Sequence, residues 1–228
     1  DGTFVVPVNL ASDGTDTLND VALGDVDGDE IDDIIVARTS EHAVRVYISQ
    51  PGGGLASFSD HVVTFFPAKV DVGDFDDDGA LDVVTGTDDG SGEIGLAVMK
   101  GAGDGTFGAF VASPVPPGVF IEDLAVARAD DDGWLDLFVA SANVTSGANY
   151  NSGVLGYRGQ GDGTFKQGKL VSIPDFGVGL VAADFDGDGL DDAAIGGNVF
   201  STSVRVTRNR TYAAADPFAD LGADLPGG

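Results

Sequence analysis

A β-propeller, an all-β fold of four-stranded antiparallel blades, is the class this sequence predicts, and three observations carry the prediction. Apolar runs are short, rich in β-branched residues and bounded by Gly, Asp, Asn or Pro. An acidic nonapeptide recurs with its ninth residue at Asp33, Asp82, Asp136 and Asp192, in steps of 49, 54 and 56 residues. With 35 Gly and 9 Pro in 228 residues, no stretch sustains a helical period, and almost no helix is expected. Four-strand units spaced about fifty residues apart mark propeller blades, whereas stacked β-solenoids repeat nearer about twenty. Rings of this kind hold about four to eight blades.

The strands follow in order. In the first unit Val21–Gly24 leads into the nonapeptide, Ile34–Ala37 follows it, Val44–Ile48 alternates and His61–Phe65 closes. The second unit repeats this at Val70–Val72, Val83–Thr85, Gly95–Met99 and Phe107–Val111. The third has Leu124–Ala127, Leu137–Ala140, Val154–Tyr157 and Lys169–Ser172, and the fourth Leu180–Ala183, Ala193–Ile195, Val204–Thr207 and Tyr212–Ala215. One propeller region over residues 1–228 is expected, with blades at about 15–65, 66–112, 119–172 and 176–216. A second motif punctuates the units: Gly103-Asp-Gly-Thr-Phe107 and Gly161-Asp-Gly-Thr-Phe165, with its tail at Asp1–Phe4. Degenerate copies stand at Pro51–Phe58 and Asn209–Tyr212.

The nonapeptides carry the chemistry. Three of them place Asp at positions 1, 3, 5 and 9: Asp25, Asp27, Asp29 and Asp33; Asp74, Asp76, Asp78 and Asp82; Asp184, Asp186, Asp188 and Asp192. Calcium takes about six to eight oxygen ligands in a flexible shell. Four carboxylates, a carbonyl at position 7 (Ile31, Ala80 or Leu190) and water supply such a shell. Gly79 and Gly189 fill position 6, where a sharp turn favours positive φ, whereas the first loop has Glu30 there and is expected to be strained. An EF-hand would need Glu at position 12 and flanking helices. Position 12 is Val36, Thr85 or Ile195, inside a strand. The remaining copy is altered: Arg128 replaces the first ligand before Asp130, Asp132 and Asp136. Its guanidinium is expected to neutralise those acids itself, so this loop should bind calcium poorly or not at all.

Composition bounds the rest. The net charge is -27, which repels nucleic acid and anionic lipid. Glu occupies only positions 30, 41, 93 and 122, leaving 34 of the 38 acidic residues as Asp, the short carboxylate suited to turns and hard cations. Three bound calcium ions would bring the charge to -21, so metal binding and folding should be coupled. Hydrophobic residues, at 43%, suffice for a core, and no run of eighteen apolar residues predicts membrane insertion. Absence of Cys rules out disulfides and thiolate chemistry.

The Asp-x-Asp-x-Asp-Gly-x-x-Asp loops, the Gly-Asp-Gly-Thr-Phe turns and the repeat length resemble FG-GAP/VCBS repeats, as found in integrin α-subunit propellers and bacterial surface proteins. The resemblance implies structural calcium at the twelve intact-loop Asp residues, on one face of each blade and away from the usual ligand face. It implies an extracellular or cell-surface, non-enzymatic module for adhesion or assembly, with about three calcium ions. Alternatives are a lectin-type propeller and the accessory domain of a polysaccharide-active enzyme. Integrin-type rings have seven blades and this chain has four repeats. A fragment of a larger ring, a closed four-blade ring and an open half-ring completed by self-association are therefore all compatible.

A protein or carbohydrate ligand is expected on loops away from the Asp turns, with Asn149, Tyr150 and Asn151 as candidate contacts. Other motifs lead nowhere. Gly103–Gly108 fits Gly-x-Gly-x-x-Gly but is followed by no helix to hold a phosphate. His42 and His61 lie in no ligand cluster, and the adjacency of Ser59, Asp60 and His61 does not make a triad. Asn143 and Asn209 begin glycosylation sequons. Trp134, the only Trp, is expected to pack on the altered loop.

Overall fold

The computed structural model describes residues 16–87, 95–115, 119–143, 152–173, 177–197, 204–209 and 223–224. Among them there is no helix. The first sheet holds β1 (Leu18–Gly24), β2 (Asp33–Arg38), β3 (Ala43–Gln50) and β4 (Gly54–Val62), and the second β5 (Pro67–Gly73), β6 (Asp82–Thr87), β7 (Leu96–Gly101) and β8 (Phe107–Ser113). The third holds β9 (Val119–Ala127), β10 (Asp136–Asn143), β11 (Ser152–Gly159) and β12 (Phe165–Ile173). The fourth holds β13 (Gly177–Ala183), β14 (Asp192–Gly197), β15 (Val204–Arg208) and β16 (Ala223–Asp224). Each sheet is an antiparallel meander in chain order, the form of a propeller blade.

Two expected strands differ. The fourth strand of blade one is Gly54–Val62, not His61–Phe65. Gly52 and Gly53, at φ 92° and 84°, turn the chain back early, and Val63 and Phe65 are buried beside Ala97 as an apolar link to the next blade. The fourth strand of blade four is Ala223–Asp224, beyond the expected boundary at 216, while Tyr212–Ala215 lies outside the described residues.

The core lies between blades. Ala22, Ile35 and Val46 of the first blade meet Val70, Val83 and Met99 of the second. Phe75, Val84 and Val98 of the second meet Leu124, Leu137 and Tyr157 of the third. Ala125, Phe138 and Val154 of the third meet Leu180, Ala193 and Ile195 of the fourth. Strand alternation explains this: side chains one residue apart point to opposite faces, so each blade has one face toward its predecessor and one toward its successor. A fully buried side chain of this size contributes about 1.5–3 kcal/mol.

Carboxylates stitch the innermost strands together. Val70 N donates to Asp20 Oδ2 at 3.1 Å, Val126 N to Asp71 Oδ2 at 3.1 Å, and Leu180 N to Asp123 Oδ2 at 2.7 Å. Each bond satisfies an amide on an inner strand edge that has no further strand beside it.

Candidate metal centres

Every nonapeptide runs from the end of a blade's first strand into its second. Position 9 anchors it. Asp33, Asp82, Asp136 and Asp192 are fully buried. One oxygen of each accepts the amide of position 2: Val26 (3.0 Å), Phe75 (3.0 Å), Ala129 (2.8 Å) and Phe185 (3.2 Å). The other accepts an amide from the third-strand end: Ser49, Gly101 and Gly159 at 2.8 Å, and Asn209 at 2.6 Å. This strut is present in the altered loop as well, so the ninth Asp has a structural duty that does not depend on metal. Close approach explains two glycines here: a Cβ on Gly101 or Gly159 would lie 2.1 or 2.2 Å from the carbonyl oxygen of Leu81 or Leu135.

Position 1 shapes the intact loops. Asp25 accepts amides of Gly28 (2.7 Å) and Glu30 (2.8 Å), Asp74 that of Gly79 (3.0 Å), and Asp184 those of Gly187 (2.6 Å) and Gly189 (2.9 Å). Position 5 accepts the amide of position 7: Ile31 onto Asp29 (2.9 Å), Ala80 onto Asp78 (2.9 Å) and Leu190 onto Asp188 (3.0 Å). Position 6 is left-handed throughout, with Gly79 at φ 88°, Gly133 at 93° and Gly189 at 94°. Glu30 adopts φ 67° there, the strain expected of a residue with a Cβ.

These bonds gather the acids. Carboxylate oxygens lie within 4.8 Å of one another in Asp25, Asp27 and Asp29, in Asp74, Asp76 and Asp78, and in Asp184, Asp186 and Asp192. Asp192 joins the third group where Asp188 was the sequence parallel. Asp76 Oδ1 is buried with no hydrogen-bond partner among the described residues, and so is Asp130 Oδ2 of the altered loop. Asp27 is held above the usual carboxylate range by desolvation and by repulsion from Asp29, Asp33 and Asp25. Burial pushes Asp82 up to about 6. The donor set, hard oxygens on one concave turn, fits a divalent cation such as calcium, which would satisfy the orphan oxygen of Asp76 and relieve the repulsion.

The altered loop corrects one expectation. Arg128 points outward, and the cation over the acids is Arg158, from the end of β11. Arg158 Nε lies 2.9 Å from Asp130 Oδ2, and its Nη2 lies 3.0 Å from Asp132 Oδ2. Arg128 contributes its backbone instead: its amide donates to Asp191 Oδ2 at 2.7 Å, and its carbonyl accepts from Asp191 N at 2.8 Å. Matching places in the neighbouring blades hold Lys100, 2.9 Å from Asp76, and Arg208, 3.6 Å from Asp186. Blade one has Ile48 there. Sequence reading missed these three cations. Their signal was a basic residue one place before the third-strand residue that binds the ninth Asp.

Several other expectations can be placed. Trp134 packs as expected: a Cβ on Gly161 would lie 2.5 Å from its indole ring. Asp60 is held by Arg45 at 2.6 Å and Arg38 at 3.0 Å, so it does not serve His61 as in a triad, although Ser59 Oγ lies 2.9 Å from His61 Nε2. Strand β8, not a helix, follows Gly103–Gly108. Asn209 is buried, with Nδ2 donating to Ala129 O at 2.6 Å, which closes that sequon. Asn149, Tyr150 and Asn151 lie outside the described residues.

The turn motif joins neighbouring blades. Gly105 N donates to Val26 O at 3.0 Å, and Gly163 N to Phe75 O at 3.2 Å. Each Gly-Asp-Gly-Thr-Phe turn therefore sits on the preceding blade's acidic loop. No curated protein matches the chain. The model of a family described as FG-GAP-like repeat matches it three times, over residues 25–85, 74–139 and 128–195. Each match begins at position 1 of a nonapeptide.

Proposed function

Because the chain belongs to the FG-GAP-like repeat family, we propose that it is a calcium-stabilised binding module, not a catalyst, that works outside the cell or on its surface in adhesion or assembly. The observation that carries this reading is the set of three Asp clusters, each at the same place in its blade. Asp25, Asp27 and Asp29 would hold one ion, Asp74, Asp76 and Asp78 a second, and Asp184, Asp186 and Asp192 a third. The ions would pin the turns that dock one blade on the next, and their role is structural. Exposed loops of this kind fill at the calcium levels found outside cells, about 0.1–1 mM. A protein or a carbohydrate is the partner class such a module recognises.

Calorimetric titration of the metal-free chain with calcium tests the proposal. About three equivalents are expected, and two after Asp74→Ala with Asp76→Ala. Absence of any heat or thermal stabilisation would remove calcium from the account. Glycan and protein arrays probed in calcium separate the two partner classes.

A further inference from the structure

Each third strand ends on a side chain placed beside its own blade's acidic loop. It is the residue just before the one whose amide binds the ninth Asp: Ile48, Lys100, Arg158 and Arg208. Where this residue is basic, it faces position 3 of the nonapeptide. Lys100 Nζ lies 2.9 Å from Asp76, Arg158 Nε 2.9 Å from Asp130 and Arg208 Nη1 3.6 Å from Asp186. In blade one the same place is apolar. A Cβ on Gly105 would meet Ile48 Cδ1 at 3.0 Å and Asp27 Cβ at 3.4 Å, so Ile48 and Asp27 flank the same glycine and no charge is brought to that acid.

The next blade's turn closes over this position. A Cβ on Gly163 would lie 2.7 Å from Lys100 Cε, much as Gly105 closes over Ile48. Both turns are bonded to the acidic loop they cover, through Val26 O and Phe75 O. The lysine stem is therefore held on that side, and its amine pairs with a carboxylate that is only 14% exposed. A calcium ion among Asp74, Asp76 and Asp78 would have to displace this amine from Asp76 or sit beside it. The first loses an ion pair and the second brings like charges together, so either weakens binding.

We propose that this one position grades the calcium affinities of the loops, and that Lys100 is an internal competitor that makes the blade-two site the last of the three to fill. The blade-one site, beside Ile48, is the tightest. The blade-four site follows, because Arg208 stands farther from its acid than Lys100 does. The blade-three loop is closed by Arg158, which lies against two acids. The inference rests on the calcium reading above and adds which residues set the strength of each site. It also gives Lys100 opposite effects in the two states: the amine offsets repulsion among the acids of the empty loop and opposes the ion in the filled one.

Titration of the full chain with calcium against a competing chelator, resolved into its steps, tests this. Three unequal steps are expected, and Asp74→Ala with Asp76→Ala should delete the weakest. Lys100→Met keeps the stem and removes the charge, and should tighten the weakest step about five- to tenfold. Lys100→Arg should restore the weak step, and Ile48→Lys should loosen the tightest by a similar factor. Lys166→Met, the same loss of charge at an exposed residue of β12, should move no step. Glu30 adds negative charge to the first loop, so the exchanges at 48 and 100, and not the ladder alone, assign the effect to this position. Melting in chelator supplies a readout without calcium: Lys100→Met should lower the melting temperature there but not in saturating calcium. Lys100→Gln takes its place should Lys100→Met not fold. Steps that the exchanges at 48 and 100 leave unmoved, an equal shift from Lys166→Met, or loss of a tighter step in the Asp74→Ala, Asp76→Ala variant would overturn the proposal and leave the calcium reading standing. A wild type that binds no calcium would overturn both.

Discussion

In the second blade, Lys100 at the end of β7 reaches one carboxylate, Asp76, and leaves its partner oxygen Asp76 Oδ1 buried and bare. In the third blade, Arg158 at the same place in β11 lies within 3.0 Å of both Asp130 and Asp132 and hydrogen-bonds Asp132, while Asp130 Oδ2 also lacks a hydrogen bond. Both loops hang from the same buried ninth Asp, with matching bonds to two amides. The difference teaches that the loop's backbone and its charge neutralisation are separable. The same turn has a lysine on one acid in the second blade and a guanidinium beside two acids in the third. Arg is suited to the latter because its planar, always-charged guanidinium hydrogen-bonds Asp132 through Nε while lying 2.9 Å from Asp130.

Chelation should break the comparison most severely. At a hundredfold excess over Kd, each bound ion adds about 2.7 kcal/mol. Removing three would lower Tm by roughly 15–30 °C for a chain of this size. Limited proteolysis should then open the loops at 25–33, 74–82 and 184–192 before the one at 128–136. Equal cutting of all four would erase the distinction between them.

Converting the third loop is the next largest effect. Arg128→Asp alone restores the missing ligand but leaves Arg158 over the acids, so calcium stoichiometry should not rise. Arg128→Asp with Arg158→Ile, the residue type blade one carries at Ile48, should add one equivalent and about 2.7 kcal/mol in calcium. A gain from the single variant would show that Arg158 does not block the site.

Asp136→Asn should cost about 2 kcal/mol, because one of two buried amides loses its acceptor. The cost should be the same with and without calcium, whereas Asp82→Asn should cost more in its presence. Burial raises the Asp136 carboxyl to about 7 from the ordinary 3.8. The folded state therefore binds a proton that the unfolded state has released. That stabilisation is complete below pH 3.8 and fades as the pH rises through about 7. In saturating calcium, Asp136→Asn should flatten this part of the stability profile. Smallest of all, Glu30→Gly should stabilise the chain by about 0.5–1 kcal/mol by relieving a left-handed residue, measurable by denaturant melts.

Much of this was legible beforehand for a local reason. Strand alternation and the nonapeptide are both encoded by neighbours in sequence, so the first three strands of each meander and two of the three acid clusters could be read directly, the third differing by Asp192 in place of Asp188. What escaped was long-range. Arg158 meets Asp132 across 26 residues, and Arg128, its nearer rival in sequence, faces solvent. Val63 and Phe65 look like a strand because they are apolar, yet they are buried as a link between blades. The duty of the ninth Asp was hidden as well. An acid at metal-ligand spacing gives no hint that both its oxygens already hold amides.

Trp134 gives the third blade an optical label that no other blade has. Its indole rests on the Gly161 turn, beside the one loop that takes its positive charge from Arg158. Light absorbed at the red edge of the protein spectrum is therefore emitted from a single place, where no calcium is expected to sit. Any change in that emission during a calcium titration must have crossed from a neighbouring blade. The residue thus turns an ordinary fluorimeter into a gauge of how far a local binding event is felt from blade to blade.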